Sequence, residues 1–238
     1  MQDGSGNACR ILLKLSGEVL AGPLGTGFHG DTLDSVAMAL IEVQKAGYQL
    51  GVVTGGGNLA RGRELGVFTR TRADYMGMLA TVMNGLALSD VIRKHGGSAA
   101  VLSALGIPEA DAPRFSVDRA EELFAQGSIV VFAGGTGNPL FSTDTAAALR
   151  AAQTRCRMLY KGTKVDGVYT SDPKIDTGAV RFDRISYGDV LHRKLEVMDP
   201  AAVLVCRDKS IPVVVFDVTD PLNFSRVLAD SSLGTVIE

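Results

Sequence analysis

Two lysines stand where lysine is costly. Lys14 lies inside the apolar run Ile11–Leu15, and Lys161 directly follows the apolar run Met158–Tyr160. An ammonium group in such a run is expensive unless it reaches a strand end or an anion. Asp144 follows Thr143 just past a glycine cluster, at an expected helix start, where it serves either as an N-cap or as a partner for cations. Arg61 stands four residues past another glycine cluster. Phosphoryl transfer needs cations around the moving group and an acidic group that orders them or holds Mg²⁺. Two lysines, one arginine and one carboxylate beside glycine loops match that need.

The glycines that would cradle such a group are concentrated in three places: Leu15-Ser16-Gly17-Glu18, Gly55-Gly56-Gly57-Asn58-Leu59-Ala60-Arg61-Gly62 and Gly134-Gly135-Thr136-Gly137-Asn138-Pro139. Each follows an expected strand. Glycine there lets the backbone turn sharply and bring N–H groups close to a ligand. In open α/β sheets, ligands sit at the carboxyl ends of the strands, and a following helix adds N–H donors suited to phosphate. Any one cluster also reads as an ordinary strand–helix turn. Three together favour a phosphate site.

The elements that must position these loops are legible as alternation. Short β-branched runs recur at Ile11–Leu15, Gln49–Thr54, Ala99–Leu102, Ser128–Ala133, Met158–Tyr160, Pro212–Phe216 and Thr235–Ile237. Helical spacing fills Thr32–Ala46, Asp74–Lys94, Ser116–Gln126, Thr143–Thr154 and Leu222–Ala229. Strands apolar on both faces that alternate with helices imply an open, mostly parallel sheet covered on both sides. Either Ser116 or Asp118 suits the N-cap of the third helix, and Asp220-Pro221 has the order of an N-cap and first helical residue. The Asp74–Lys94 segment carries apolar residues on more than one stripe, which implies burial in the core or against another subunit.

The 238 residues carry 24 basic and 26 acidic side chains, a net charge of −2, and 46% are apolar. That composition supports a sizeable core and excludes wholesale disorder. A near-neutral balance without a basic run argues against nucleic acid as the main partner. Three scattered cysteines, Cys9, Cys156 and Cys206, imply neither a disulfide frame nor a zinc site. Met1 to Asn7 are polar, without a leader's apolar stretch, and no run approaches the ~18 apolar residues of a membrane span. A cytoplasmic protein is expected.

Several phosphate-binding systems are excluded. GxxxxGK[ST] is absent, and no Gly-Lys dipeptide occurs. Gly55, Gly57 and Ala60 satisfy GxGxxG/A, and Asp74 has the spacing of the acidic partner, but Thr69–Ala73 before it is no strand. His29, His95 and His192 sit in unlike contexts and suggest no metal site. Asp166, Asp172 and Asp176 lack the spacing and terminal glutamate of a calcium loop.

Five blocks together carry a family resemblance: Lys14–Glu18, Gly55–Gly62, Asp74–Leu86, Gly135–Asp144 and Lys161–Pro173. They resemble the bacterial UMP kinases, a branch of the amino-acid kinase family, from about Arg10 to the C-terminus. The Asp74–Leu86 block is specific to that branch. The resemblance implies one αβα sandwich domain over 1–238, with a UMP-binding part at about 8–155 and an ATP-binding part at about 156–238. It implies reversible, in-line transfer from ATP, with Mg²⁺, to UMP, in pyrimidine nucleotide synthesis. It further implies a homohexamer, a trimer of dimers, under allosteric control. Ala60, Ser89, Cys156-Arg157 and the Ala21–Gly30 loop depart from the family pattern, away from the chemistry.

Residue by residue, the resemblance implies that Lys14, Leu15, Ser16 and Gly17 hold the ATP phosphates, with Gly57 and Arg61 on the same side. Thr163, Tyr169 and Asp172 match the adenine-nucleotide pocket. Gly56 matches a UMP-binding backbone position, and Asp74 the carboxylate for the UMP ribose hydroxyls. Thr136, Gly137, Asn138, Pro139, Leu140, Phe141, Ser142 and Thr143 match the loop around UMP. Asp144 matches the carboxylate that orients Lys14 and Lys161, and Asp199 is a further catalytic candidate. The alternative is a non-catalytic nucleotide or oxyanion storage protein on the same fold. A sister kinase acting on carbamate or an acylated amino acid is opposed by the Asp74 block.

Overall fold

The computed structural model describes residues 9–60 and 66–238. Its strands are β1 (Arg10–Leu15), β2 (Gln49–Thr54), β3 (Ala99–Ser103), β4 (Ile129–Ala133), β5 (Met158–Thr163), β6 (Val168–Tyr169), β7 (Arg181–Phe182), β8 (Arg184–Ile185), β9 (Val213–Asp217) and β10 (Thr235–Ile237). Eight of them form one sheet in the order β3-β4-β2-β1-β5-β9-β10-β8, and β6 and β7 form a separate pair. All neighbours in the large sheet are parallel except β9 and β10. The open, mostly parallel sheet expected from the sequence is present.

Helices α1 (Gly17–Ala21), α2 (Gly30–Lys45), α3 (Arg70–Lys94), α4 (Val117–Ala125), α5 (Thr143–Gln153), α6 (Tyr187–His192), α7 (Pro200–Asp208) and α8 (Asn223–Ala229) cover both faces. Ile11, Leu13 and Leu15 share one core with Leu20 of α1, Leu40 of α2, Leu88 of α3 and Phe224 of α8. Leu12 and Leu159 belong to the opposite core, with Phe124 of α4, Ala147 of α5, Val190 of α6 and Val203 of α7. Period-two alternation therefore puts Lys14 on the Leu12 face, toward α5. Lys161 follows from Leu159 in the same way.

Several boundaries differ from expectation. Strand β5 continues through Lys161 to Thr163, because Lys161 pairs in register with Lys14 and the ladder continues to Asp217. Ser116, not Asp118, caps α4 by accepting the Arg119 N–H. Pro221 does not begin α8: the Asp220 carboxylate takes the Leu222 N–H at 3.0 Å, a local turn that delays the helix to Asn223. Helices α1, α6 and α7 are short and were not evident as periodic segments.

Helix α3 is buried along only part of its length. It is long and apolar enough to pass for a membrane span, yet half of that stretch is buried inside the fold. Met78, Val82, Leu88 and Ile92 are buried, while Tyr75, Met76, Leu79 and Met83 remain exposed.

Helix α5, whose first turn holds Asp144, is anchored by a buried arginine. The Arg150 guanidinium lies 3.9 Å from the Phe115 ring centre, and its hydrogen-bond acceptor is the neutral Gln153 amide at 2.5 Å. Burial pushes Arg150 down to about 10. A charged partner in place of that amide suits a guanidinium better. Gln153→Glu is expected to stabilise the fold by about 1 kcal/mol, read as a rise of roughly 2–4 °C in Tm. An unchanged or lower Tm would show that Arg150 needs no counter-charge.

Candidate active site

Three charges meet at the carboxyl ends of β1 and β5. Lys14 and Lys161 are direct partners across the two parallel strands. Asp144, from the first turn of α5, lies between them: Lys14 Nζ is 2.8 Å from Oδ1 and Lys161 Nζ is 2.5 Å from Oδ2. All three side chains are only 11–13% exposed. Burial works to raise the Asp144 pKa, but the two ammonium groups outweigh it and hold the carboxyl below its usual range. Burial pushes Lys161 below the ordinary lysine value, against the pull of Asp144. Lys161 also donates to the Val197 carbonyl. The triad carries a net charge of +1 and suits an added anion.

On one side of the triad opens a cleft of about 730 Å³, within the range of small-molecule sites. Lys14, Ser16, Lys161, Thr163, Tyr169 and Asp172 all line it. Ser16 caps α1 through its hydroxyl. Tyr169 donates to Asp166 at 2.6 Å, and Asp172 accepts the Lys174 N–H at 2.9 Å. Leu15 differs in kind: its side chain is buried in the core and its carbonyl accepts the Gly55 N–H. Arg193, Val197 and the Glu18–Lys164 ion pair also belong to the cleft. Only folding brings them there, since they belong to separate stretches of chain.

Apart from the residues that line this cleft, Asp74 and the loop from Thr136 to Thr143, which leads directly into Asp144, come together. Asp74 Oδ2 accepts the Leu140 N–H at 2.8 Å, and Arg70 Nε lies 3.1 and 3.2 Å from its two oxygens. Leu140 has φ of 74°, a conformation disfavoured for a leucine, and both it and Phe141 are exposed. Thr136 closes a local turn with Asn138, within it Gly137 has a positive φ beside Ala104, and Pro139 follows the turn. Ser142 caps α5 by accepting the Asp144 and Thr145 N–H groups, and Thr143 is its first residue.

Close approach fixes a glycine in each of the three clusters, at Gly17, Gly56 and Gly134. A Cβ on Gly17 would lie 2.5 Å from Asn58 Oδ1 and from the Gly55 carbonyl. One on Gly56 would lie 2.7 Å from the Gly77 carbonyl of α3. Gly57 meets no such obstacle among the described residues, and Arg61 lies outside them.

Asp199, the further catalytic candidate, stands at the start of α7. Its carboxylate accepts from Ser142, from Thr145 at 2.8 Å and from the Ala202 N–H at 3.0 Å, and so caps α7. It pins the start of α5 to the start of α7. It makes no ion pair with Lys14 or Lys161 and bears on Lys161 through its field. Asp199 thereby positions the turn that holds Asp144.

Residues 10–217 match the amino acid kinase family. A uridylate kinase of Zymomonas mobilis subsp. mobilis is 47% identical over 230 residues, covering 96% of this chain and 95% of that protein. A uridylate kinase of Mesorhizobium japonicum is 45% identical over the same length, with the same coverage. Among solved structures, UMP kinase from Ureaplasma parvum superposes with a TM-score of 0.92 at 32% identity, covering 98% of this chain and 99% of its own. UMP kinase from Bacillus anthracis gives 0.92 at 33% identity, covering 96% and 95%. A parallel sheet with two lysines flanking a carboxylate, and this likeness over nearly the whole length, mean that the chain belongs to the amino acid kinase family.

Proposed function

We infer that this chain is a UMP kinase, which transfers the γ-phosphoryl group of ATP to UMP reversibly, giving UDP and ADP. The observation that carries this is Asp144 between Lys14 and Lys161, both of which line a nucleotide-sized cleft, with the Asp74-bound loop running into Asp144. A storage protein needs no such pair of facing sites, so that alternative is not favoured. We assign ATP to the cleft, with Lys14, Ser16 and Gly17 at its phosphates and Thr163, Tyr169 and Asp172 around the remainder. UMP then lies against Gly56 and Asp74, within the loop from Thr136 to Thr143.

A UMP phosphate oxygen attacks the γ-phosphorus, and the bond to the ADP oxygen breaks on the opposite side. No side chain becomes covalently bound. Lys14 and Lys161 balance the charge on the transferred group, and Asp144 keeps the two ammonium groups side by side. One ribose can offer Asp74 two hydroxyls, which a single carboxylate accepts. Among the described residues no three His, Cys, Asp or Glu side chains converge on a metal site. Mg²⁺ therefore fits as part of the Mg-ATP substrate, held chiefly by phosphate oxygens.

We further propose that the chain works in the cytoplasm, in pyrimidine nucleotide synthesis, as a homohexamer. The exposed Tyr75, Met76, Leu79 and Met83 on α3 support a subunit contact. The acceptor part spans about 8–155 and the donor part about 156–238, with the β1 turn serving both.

An ADP-release assay with Mg-ATP tests the activity against UMP, CMP, dUMP and carbamate. Fast turnover is expected with UMP, and weaker use of dUMP follows from the ribose contact. Turnover on another acceptor alone would overturn the substrate assignment. In the same assay Lys14→Ala is expected to lower kcat by about 10²–10³-fold with UMP affinity unchanged. Full turnover in that variant would remove Lys14 from the mechanism.

The pH profile has a defined sign. Lys161 acts as its charged form and its pKa is lowered, so activity present at neutral pH is lost as pH rises through that value. The alkaline limb of kcat should fall below the ordinary lysine value of about 10.4. Asp144, held low, stays ionised across the neutral range and adds no limb there. Lys161→Arg should move the alkaline limb upward, because a guanidinium keeps its charge. An unmoved limb in that variant would assign the titration elsewhere.

A further inference from the structure

Behind the site, two asparagine side chains form a closed amide pair. Asn58 Nδ2 donates to Asn84 Oδ1 at 3.0 Å, and Asn84 Nδ2 donates to Asn58 Oδ1 at 2.8 Å. The second N–H of Asn58 goes to the Gly27 carbonyl at 2.9 Å, and that of Asn84 to the Gly55 carbonyl at 2.7 Å. All four amide hydrogens are used, and only this orientation of both groups faces donors to acceptors. Asn58 is 3% exposed and Asn84 is fully buried. A buried polar pair is costly unless every member is satisfied, and this one is.

Its place in the fold matters more than its bonds. Asn84 sits on α3, the helix whose first turns present Asp74. Gly55, which it holds, begins the turn that backs onto α3 at Gly56. Asn58 Oδ1 meanwhile lies only 2.5 Å from where a Cβ on Gly17 would stand, and Gly17 directly follows Ser16 of the cleft. Gly27 is gripped twice, by the Asn58 side chain and by its backbone carbonyl, which accepts the Gly27 N–H at 2.9 Å. One amide pair thus touches the acceptor helix, the middle glycine turn and the donor turn.

We propose that Asn58 and Asn84 are positioning residues for phosphoryl transfer, holding the Ser16–Gly17 turn and helix α3 at the one separation at which donor and acceptor phosphates meet in line. Neither amide reaches a substrate. Each acts through Gly17, Gly55 and Gly56. Reacting atoms must approach within about 3–3.5 Å, and a misplacement of about 1 Å can cost roughly 10²-fold in rate. Losing the pair therefore separates rate from affinity, because each half-site keeps its own contacts.

The test uses the full-length enzyme with Asn84→Ala and Asn84→Asp. In Asn84→Ala, a non-hydrolysable ATP analogue alone and UMP alone should each bind within about threefold of wild type, while kcat falls about 10²-fold. In Asn84→Asp, the introduced carboxyl can donate to Asn58 only when protonated, and burial raises its pKa. Its kcat relative to wild type should therefore rise as the pH is lowered from 8 to 6. Wild-type kcat in Asn84→Ala, or a loss that follows lost affinity for one nucleotide, would overturn the proposal. Failure of both variants to fold would overturn it too, since the pair would then serve the fold and not the spacing. This role presupposes the kinase activity inferred above; an inactive wild type in the same assay defeats that activity, whereas an active wild type with full-speed Asn84→Ala defeats only the positioning role.

Discussion

Lys14 and Lys161 are neighbours in register on adjacent parallel strands, and both face α5. Two buried ammonium groups side by side repel, and removing each from water costs several kcal/mol. The Asp144 carboxylate, one oxygen to each, makes the arrangement tolerable and leaves a single excess positive charge. That excess faces the cleft. In the proposed transfer the moving phosphoryl group carries the opposite charge, so the same excess would stabilise the transition state.

Much of the surrounding structure serves that one carboxylate. Ser142 caps the helix that holds Asp144, and Asp199 ties Ser142 and Thr145 to the start of α7. Arg150 anchors the same helix two turns later, over Phe115. Lys161 is fixed from behind by the Val197 carbonyl, two residues before Asp199. The α5–α7 contact thus holds the carboxylate and one lysine together.

Helix α3 does the same for the glycine turns. Thr81 accepts the Gly134 N–H at 2.8 Å and donates to Met78, while Asn84 holds Gly55. Polar residues inside an otherwise apolar helix therefore dock the second and third glycine clusters, and Asp74 at its start meets Leu140. Asn84 lies between Met83 and Gly85 in an apolar stretch. A buried amide in such a place is a sequence signal for a fixed partner, although nothing local says that the partner is Asn58, 26 residues earlier.

The alternation of β-branched runs with helical spacing determined the sheet, because strands apolar on both faces must be covered twice. The misplaced lysines and the three glycine clusters marked the site, since both residue types are costly where a simple core would do. Helices as short as α1 and α6 escaped, because five or six residues offer too few positions for a period to emerge. The antiparallel pairing of β9 with β10 escaped as well, since pairing direction is set by where the chain returns. Residue types and their spacing reveal a need for an anion, a turn or a buried face. Which groups satisfy that need was decided by the tertiary structure alone, through the Lys14–Lys161 register, the turning of Asp199 toward α5 and the meeting of Asn58 with Asn84. Hydrogen bonds and ion pairs act over about 3 Å, and only folding brings residues distant in the chain to that range.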